Sequence, residues 1–341
     1  MPTADVRWFT TPDGTRLALR WHGPRSVAAS TLRAGLGGDA STLRAGLGGD
    51  ASTLRAGLGA PLTIVLAHGW IVDSRVWEPV AAMLSSGPRG LPVLCYDLRG
   101  HGQSGPIRPG TATIAALADD LAGLLRAEVE GAVVLVGHSM GSMAIMALAQ
   151  QHPELVAQRV AGAVFASSSC GDLMPLDLGL RPGLARLVAR GEPHLMRWAS
   201  ASRRLRDRDR TTTWVGLVRP GVRWLQFGEH PRRADVQLAA TCVAQCRPAN
   251  FVDFRATFDD HDQAAALAAF RNLPTLVLAG TRDRLTPIRH SERIAAALPD
   301  ATFVRYAGAG HMVTLERAEQ IAGRIGELVA TVRARRRLPA E

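Results

Sequence analysis

At 341 residues the chain can hold one large domain with an insertion, or two small domains. Its balance of 47% hydrophobic and 21% charged residues is ordinary for a globular enzyme, and no apolar run is long enough to span a membrane. The formal charge is +10 and every basic residue is arginine, but the arginines are spread along the chain and not gathered on one aromatic-lined face, so nucleic acid is not an expected partner.

Two arginine clusters, within 203–210 and 333–337, read as solvated helix faces. The N-terminal MPTADVRWFTTPDG lacks a charged stretch followed by an apolar core, so no secretory signal is expected. Cys95, Cys170, Cys242 and Cys246 are irregularly spaced. Cys242 and Cys246 stand one helical turn apart, but no second pair completes a zinc site. Reduced structural thiols and a cytoplasmic location are the expectation. No cofactor and no metal site is expected.

In chain order, Val6 to Thr10 and Thr15 to Trp21 are short alternating runs around the turn Pro12-Asp13-Gly14, a hairpin at a sheet edge. An 11-residue unit, ASTLRAGLGGD, follows twice and begins a third time over 29–59. Three glycines per unit weigh against a helix. The repeat reads as a flexible loop expansion, which costs a fold little. Leu62 to Ala67 is a buried strand ending in His68-Gly69-Trp70, and a helix is expected over 74–84. Val93 to Asp97 is the next strand, leading into Asp97-Leu98-Arg99-Gly100-His101-Gly102-Gln103-Ser104, and a helix spans 113–129. Asp97 and Arg99 are expected to pair with each other and to brace the loop backbone.

The run Val133-Val134-Leu135-Val136 then ends in Gly137-His138-Ser139-Met140-Gly141 and passes straight into a helical pattern. A serine at the apex of so sharp a strand-to-helix turn is strained, and side chains at 137 or 141 would collide with the neighbouring strand and helix. The turn lifts the Ser139 hydroxyl above the sheet. The backbone N–H of Met140, at the helix start, can face a developing oxyanion. These residues resemble the nucleophile elbow of the α/β-hydrolase family.

That resemblance implies several further assignments. The His68-Gly69-Trp70 loop would supply the second oxyanion-hole N–H from Trp70, with the indole at the mouth of the acyl pocket and His68 bracing the loop. The segment 97–104 resembles the family's D-x-R-G-x-G-x-S signature and is read as structural. Strands follow at 160–168, 275–279 and 301–306, and strands alternating with helices give an α/β fold with a mostly parallel, doubly wound sheet. The intervening 169–273 is arginine-rich, helical in pattern and interrupted by Pro175, Pro182, Pro193, Pro220, Pro231 and Pro248. It resembles a helical cap, so the domains are a core of 1–168 and 274–341 and a cap of 169–273. The cap aromatics Trp198, Trp214, Trp224, Phe227, Phe251, Phe254, Phe258 and Phe270 are expected mostly to pack, with a few facing the cleft. The run Asp259-Asp260-His261-Asp262 is read as the cap of an alanine-rich helix. A helix over 315–332, with Ile321, Ile325, Leu328 and Val332 on one face, closes the chain.

Asp283 lies just past one strand end and His311 just past the next, where open α/β sheets place their sites. With Ser139 they occur in the order serine, acid, histidine, which is the order of this fold. His311 is then the general base, Asp283 its orienting partner, and the Met140 and Trp70 amides hold the oxyanion. Epoxide hydrolases and haloalkane dehalogenases of the fold carry an aspartate where this chain has Ser139. Epoxide hydrolases also use cap tyrosines, whereas Tyr96 and Tyr306 fall in core strands. The expected activity is hydrolysis of a carboxylic ester, or a related acyl bond, of a small molecule with an apolar acyl or alcohol part. The same residues also leave open a cofactor-free perhydrolase of the haloperoxidase kind, a biosynthetic acyltransferase or cyclase, and a ligand-binding protein that has lost turnover.

Overall fold

The computed structural model describes residues 6–24, 61–86, 90–173 and 214–337, with Gly183, Arg190, Gly191 and His194 as single positions. The repeat over 29–59 and the arginine cluster within 203–210 lie outside the described residues. Eight strands form one sheet: β1 (Val6–Thr10), β2 (Arg16–His22), β3 (Leu62–Ala67), β4 (Val93–Tyr96), β5 (Ala132–His138), β6 (Val160–Ala166), β7 (Thr275–Gly280) and β8 (Thr302–Tyr306). Their order is β1-β2-β4-β3-β5-β6-β7-β8. The β1–β2 hairpin pairs antiparallel and so does β2 with β4, while every pairing from β4 through β8 is parallel.

The central strands read as unbroken apolar runs because both faces of the sheet are covered. Along β5, Val133 and Leu135 join one core while Val134 and Val136 join the other. The first core is closed by α2 (Ile114–Glu128) and α3 (Met140–Gln151), the second by α1 (Glu78–Ser85) and the C-terminal helix Ala318–Arg337. Thr113 caps α2, its side chain accepting from the Ala116 N–H at 3.0 Å.

Four expectations need correction. Asp97 and Arg99 do not pair. Asp97 accepts from Arg20 at 3.0 Å and from the Ser74 and Gln103 amides, while Arg99 turns to Asp120 and Asp13. Both Asp97 and Arg99 are buried, so each needs its own counter-charge, and β2 and α2 bring one to each side of the loop. The helix expected from 74 begins as a 3₁₀ turn, Ser74–Trp77, and becomes α-helical where Pro79 supplies the fixed φ of a first turn. The closing helix starts at Ala318, after a separate short turn Val313–Glu316 that frees the Glu316 carboxylate for other amides. Pro220 does not end a helix. It sits exposed inside Val215–Gln226, next to Gly221 and one turn beyond Gly216.

The Arg99–Asp120 pair is bidentate, at 2.6 and 2.5 Å, with both side chains at most 3% exposed. Burial pushes the Asp120 carboxyl up, against the pull of Arg99. Arg99→Leu is expected to strand that carboxylate and cost about 3–5 kcal/mol in urea denaturation. The double change with Asp120→Leu should recover much of it. Equal losses in the single and double variants would show that the pair is not the cause.

Candidate active site

The carboxyl ends of β3, β5, β7 and β8 bring the expected residues together. Ser139 follows β5 with φ 52° and ψ −119°, outside the regions an L-residue favours. The surroundings enforce this. Its N–H donates to Ala166 O at 2.9 Å, and its own carbonyl accepts from the Ser168 hydroxyl and the Ser142 amide, each at 2.9 Å. The flanking glycines are needed because a Cβ at Gly137 would come within 2.5 Å of Ser142 backbone atoms, and one at Gly141 would strike the carbonyls of Ala67 and His68.

Asp283 and His311 follow β7 and β8. His311 Nδ1 lies 2.8 Å from Asp283 Oδ2, and the other carboxylate oxygen accepts the Leu285 and Thr286 amides, each at 2.9 Å. Burial alone would push the Asp283 carboxyl up. Interaction with His311 and the bonds from Thr286 outweigh it and hold the group below its ordinary value. An ionised Asp283 fixes the proton on Nδ1, so Nε2 of His311 is left as an acceptor. His311, Ser139 and Thr286 line one cavity of about 210 Å³, with Trp70, Met143, Phe251, Phe258 and Met312.

Trp70 stacks on Phe251 with ring centroids 4.5 Å apart, and Phe258 lies perpendicular to it at 5.2 Å. The loop carrying it presses on the elbow, since a Cβ at Gly69 would lie 3.1 Å from that of Ser139. Met140 is the first residue of α3, where a backbone N–H has no partner within the helix. His68 is buried and braces this loop, its Nε2 accepting from the Leu98 amide and its Nδ1 bonding Gly69 O at 2.7 Å. His138, next to the nucleophile, also lines the cavity, and its Nε2 bonds His311 O at 2.9 Å. Among the aromatics between β6 and β7, Phe251 and Phe258 reach the cavity, Phe227, Phe254 and Phe270 are buried, and Trp214 and Trp224 are exposed. Trp198 lies outside the described residues.

The acidic run serves the fold. Arg255 pairs with Asp259, His261 bonds Ser169 O, and Asp262 accepts from the Ala264 amide ahead of a 3₁₀ segment, Ala265–Phe270, where a helix was expected. Among the described residues no group of three or more His, Cys, Asp or Glu side chains could hold a metal ion. Nor is any described helix long and apolar enough to cross a membrane.

Sequence reasoning missed four residues. Thr286 donates to Asp283 Oδ2 at 2.8 Å; its position three residues after an acid at a turn was a readable capping signal. Glu316 accepts the Gly310 amide at 2.7 Å and the Gly228 amide at 3.0 Å, tying the His311 loop to the segment after Gln226. That bridge spans elements distant in sequence and left no local trace. Gln226 and Arg255 line the cavity from helices whose register the sequence did not fix.

Residues 64–324 match the alpha/beta hydrolase family. The chain is 28% identical to the RutD protein of Yersinia enterocolitica, named for carbamate hydrolysis, over 77% of this chain and 86% of that one. It is 29% identical to the pimeloyl-[acyl-carrier protein] methyl ester esterase of Aromatoleum aromaticum, over 78% and 97%. A thermophilic esterase from Thermogutta terrifontis superposes with TM-score 0.67 at 22% identity, covering 96% of this chain and 99% of that one. The chain belongs to the alpha/beta hydrolase family and is a hydrolase of that fold.

Proposed function

We propose that this chain cleaves a carboxylic ester, or a related acyl bond, of a small and partly apolar molecule through an acyl-enzyme on Ser139. One observation carries the reading: a serine held in the strained elbow conformation lines the same cavity as a histidine fixed by a buried carboxylate. His311 Nε2 takes the Ser139 proton as Oγ attacks the acyl carbon, and returns it to the leaving alkoxide. Water, activated by the same nitrogen, then releases the acid. The amides of Met140 and Trp70 receive the oxyanion, and Asp283 stabilises the imidazolium. Residues 169–273 act as a cap whose Phe251 and Phe258 wall the pocket. The ester-cleaving relative supports this reaction class. Peroxide or an alcohol in place of water would turn the same acyl-enzyme to perhydrolysis or acyl transfer.

The test is fluorophosphonate labelling with peptide mapping, run beside turnover of p-nitrophenyl esters of increasing chain length. A stoichiometric adduct on Ser139, absent in Ser139→Ala and slowed in His311→Ala, is expected. Short chains should be favoured, because the cavity is small. A folded protein that neither labels nor turns over esters would sink the proposal.

A further inference from the structure

The polar side chains on the wall of the Ser139 cavity are not equally committed. Thr286 donates to Asp283 at 2.8 Å, and Arg255 pairs with Asp259. Gln226 lines the same cavity and is 3% exposed. Its side-chain oxygen is shielded from water and has no hydrogen-bond partner among the described residues. That oxygen is an acceptor which the fold has desolvated and left without a donor. Folded proteins satisfy most such atoms, so an exception in a cavity wall points to a donor that arrives with the ligand.

The place of Gln226 decides which part of the ligand brings that donor. Gln226 ends the helix Val215–Gln226, and its backbone carbonyl accepts the Met312 N–H at 2.9 Å. The residue is thereby fastened to the loop that carries His311. In ester cleavage the proton on His311 Nε2 goes to the departing oxygen, so the alcohol part of the substrate lies on the histidine side of the cavity. Ile71, Val72, Leu225 and Met312 line this cavity as well. Among such apolar groups a neutral hydroxyl is desolvated far more readily than an ammonium.

We infer that the cavity is built for esters whose alcohol part carries a second, neutral hydroxyl, which donates its hydrogen bond to the Gln226 side-chain oxygen. This deepens the hydrolase reading above and rests on it. The bond between the acyl carbon and the alcohol oxygen breaks as the Ser139 ester forms, and the serine proton passes through His311 to the departing alkoxide. One water then releases the acid, so the products are a carboxylic acid and a short diol. Gln226 touches the substrate but moves no proton; it sets specificity.

Three matched pairs of esters, followed by proton release in a pH-stat, test the idea. 2-Hydroxyethyl butanoate against propyl butanoate exchanges the hydroxyl for a methyl on the alcohol side. 2-Methoxyethyl butanoate against butyl butanoate keeps the electron-withdrawing oxygen there and removes its hydrogen. Methyl 3-hydroxypropanoate against methyl butanoate moves the hydroxyl to the acyl side. The wild type should favour the hydroxyethyl ester over the propyl ester on the order of tenfold in kcat/KM, and show no preference above about threefold in the other pairs. Gln226→Met, which keeps the length of the side chain, should abolish that preference by lowering the hydroxyethyl value and leave the propyl value within about threefold. The variant should melt no lower than the wild type, because the exchange removes a buried polar group that has no partner.

A wild type indifferent to the hydroxyl, or a preference that survives Gln226→Met, would overturn the inference. So would an equal gain for the methoxyethyl ester, which would mean that the amide offers its NH₂ donors, or a preference confined to the acyl side. A lower melting temperature in Gln226→Met would overturn it too, since the oxygen would then be bonded within the fold. Absence of Ser139 labelling and of all ester turnover would instead overturn the hydrolase reading beneath it.

Discussion

Ser139→Gly is expected to abolish turnover and to leave the protein more stable than it was. The residue stands at φ 52° and ψ −119°, and a side chain in such a region costs about 1–3 kcal/mol. Glycine adopts it without that penalty, although its freer unfolded chain returns part of the gain. A rise of about 1 kcal/mol in urea denaturation is the expected net effect. Loss of the nucleophile should lower ester turnover on the order of 10⁴- to 10⁶-fold. Ser139→Ala separates the two effects, because it removes the hydroxyl and keeps the Cβ. It should be as inactive as the glycine variant and no more stable than the parent. Equal stability of the alanine and glycine variants would show that the backbone at 139 stores no strain.

The same elbow shows why part of this protein was readable in advance. A strained turn between a buried strand and a helix admits few sequences, so Gly137, Ser139 and Gly141 carry their geometry locally. The central strands were equally legible, because a sheet covered on both faces demands unbroken apolar runs such as Leu62–Ala67. Asp283 and His311 could be singled out because each lies a few residues past a strand end, Asp283 after the buried Thr275–Gly280 and His311 after the partly exposed edge strand Thr302–Tyr306. Partner choice was not legible. Asp97 and Arg99 stand two apart in the chain, and each found its counter-charge elsewhere in the fold, at Arg20 and at Asp120 with Asp13. Glu316 likewise meets Gly228, 88 positions away, through backbone approach that no local pattern encodes. Between β6 and β7 the helices bury side chains against a surface already built by the core. Their periodicity alone therefore could not say that Phe251 and Arg255 would face the cavity while Trp224 would face water.

Unfolding should become steeply easier as the pH falls from about 6.5, before most carboxylates titrate. Six described histidines are buried, and in four of them, His68, His101, His138 and His261, burial lowers the pKa. His101 and His138 are lowered to about 3, by burial first and then by the neighbouring His68 and His311 respectively. A group depressed in the fold contributes full stability above its unfolded value, near 6.5 for histidine, and loses it as the pH drops toward the folded value. Each such histidine costs roughly 1.4 kcal/mol per pH unit over that window. By pH 4.5 these two have removed on the order of 5 kcal/mol, comparable with the whole stability of many domains. Asp283 and Asp73 are also depressed and act with the same sign, but only below the ordinary carboxylate range. Asp120 and Glu316 are raised and work the other way, gaining stability as the pH falls through their folded values. Two raised carboxyls offset only part of four depressed histidines. Urea denaturation between pH 7.5 and 4.5 should show unfolding coupled to the uptake of about two protons, and the combined H101Q and H138Q changes should flatten that dependence. Wild-type stability that stays level down to pH 4.5 would mean that these imidazoles reach water, or a counter-charge, in the folded chain.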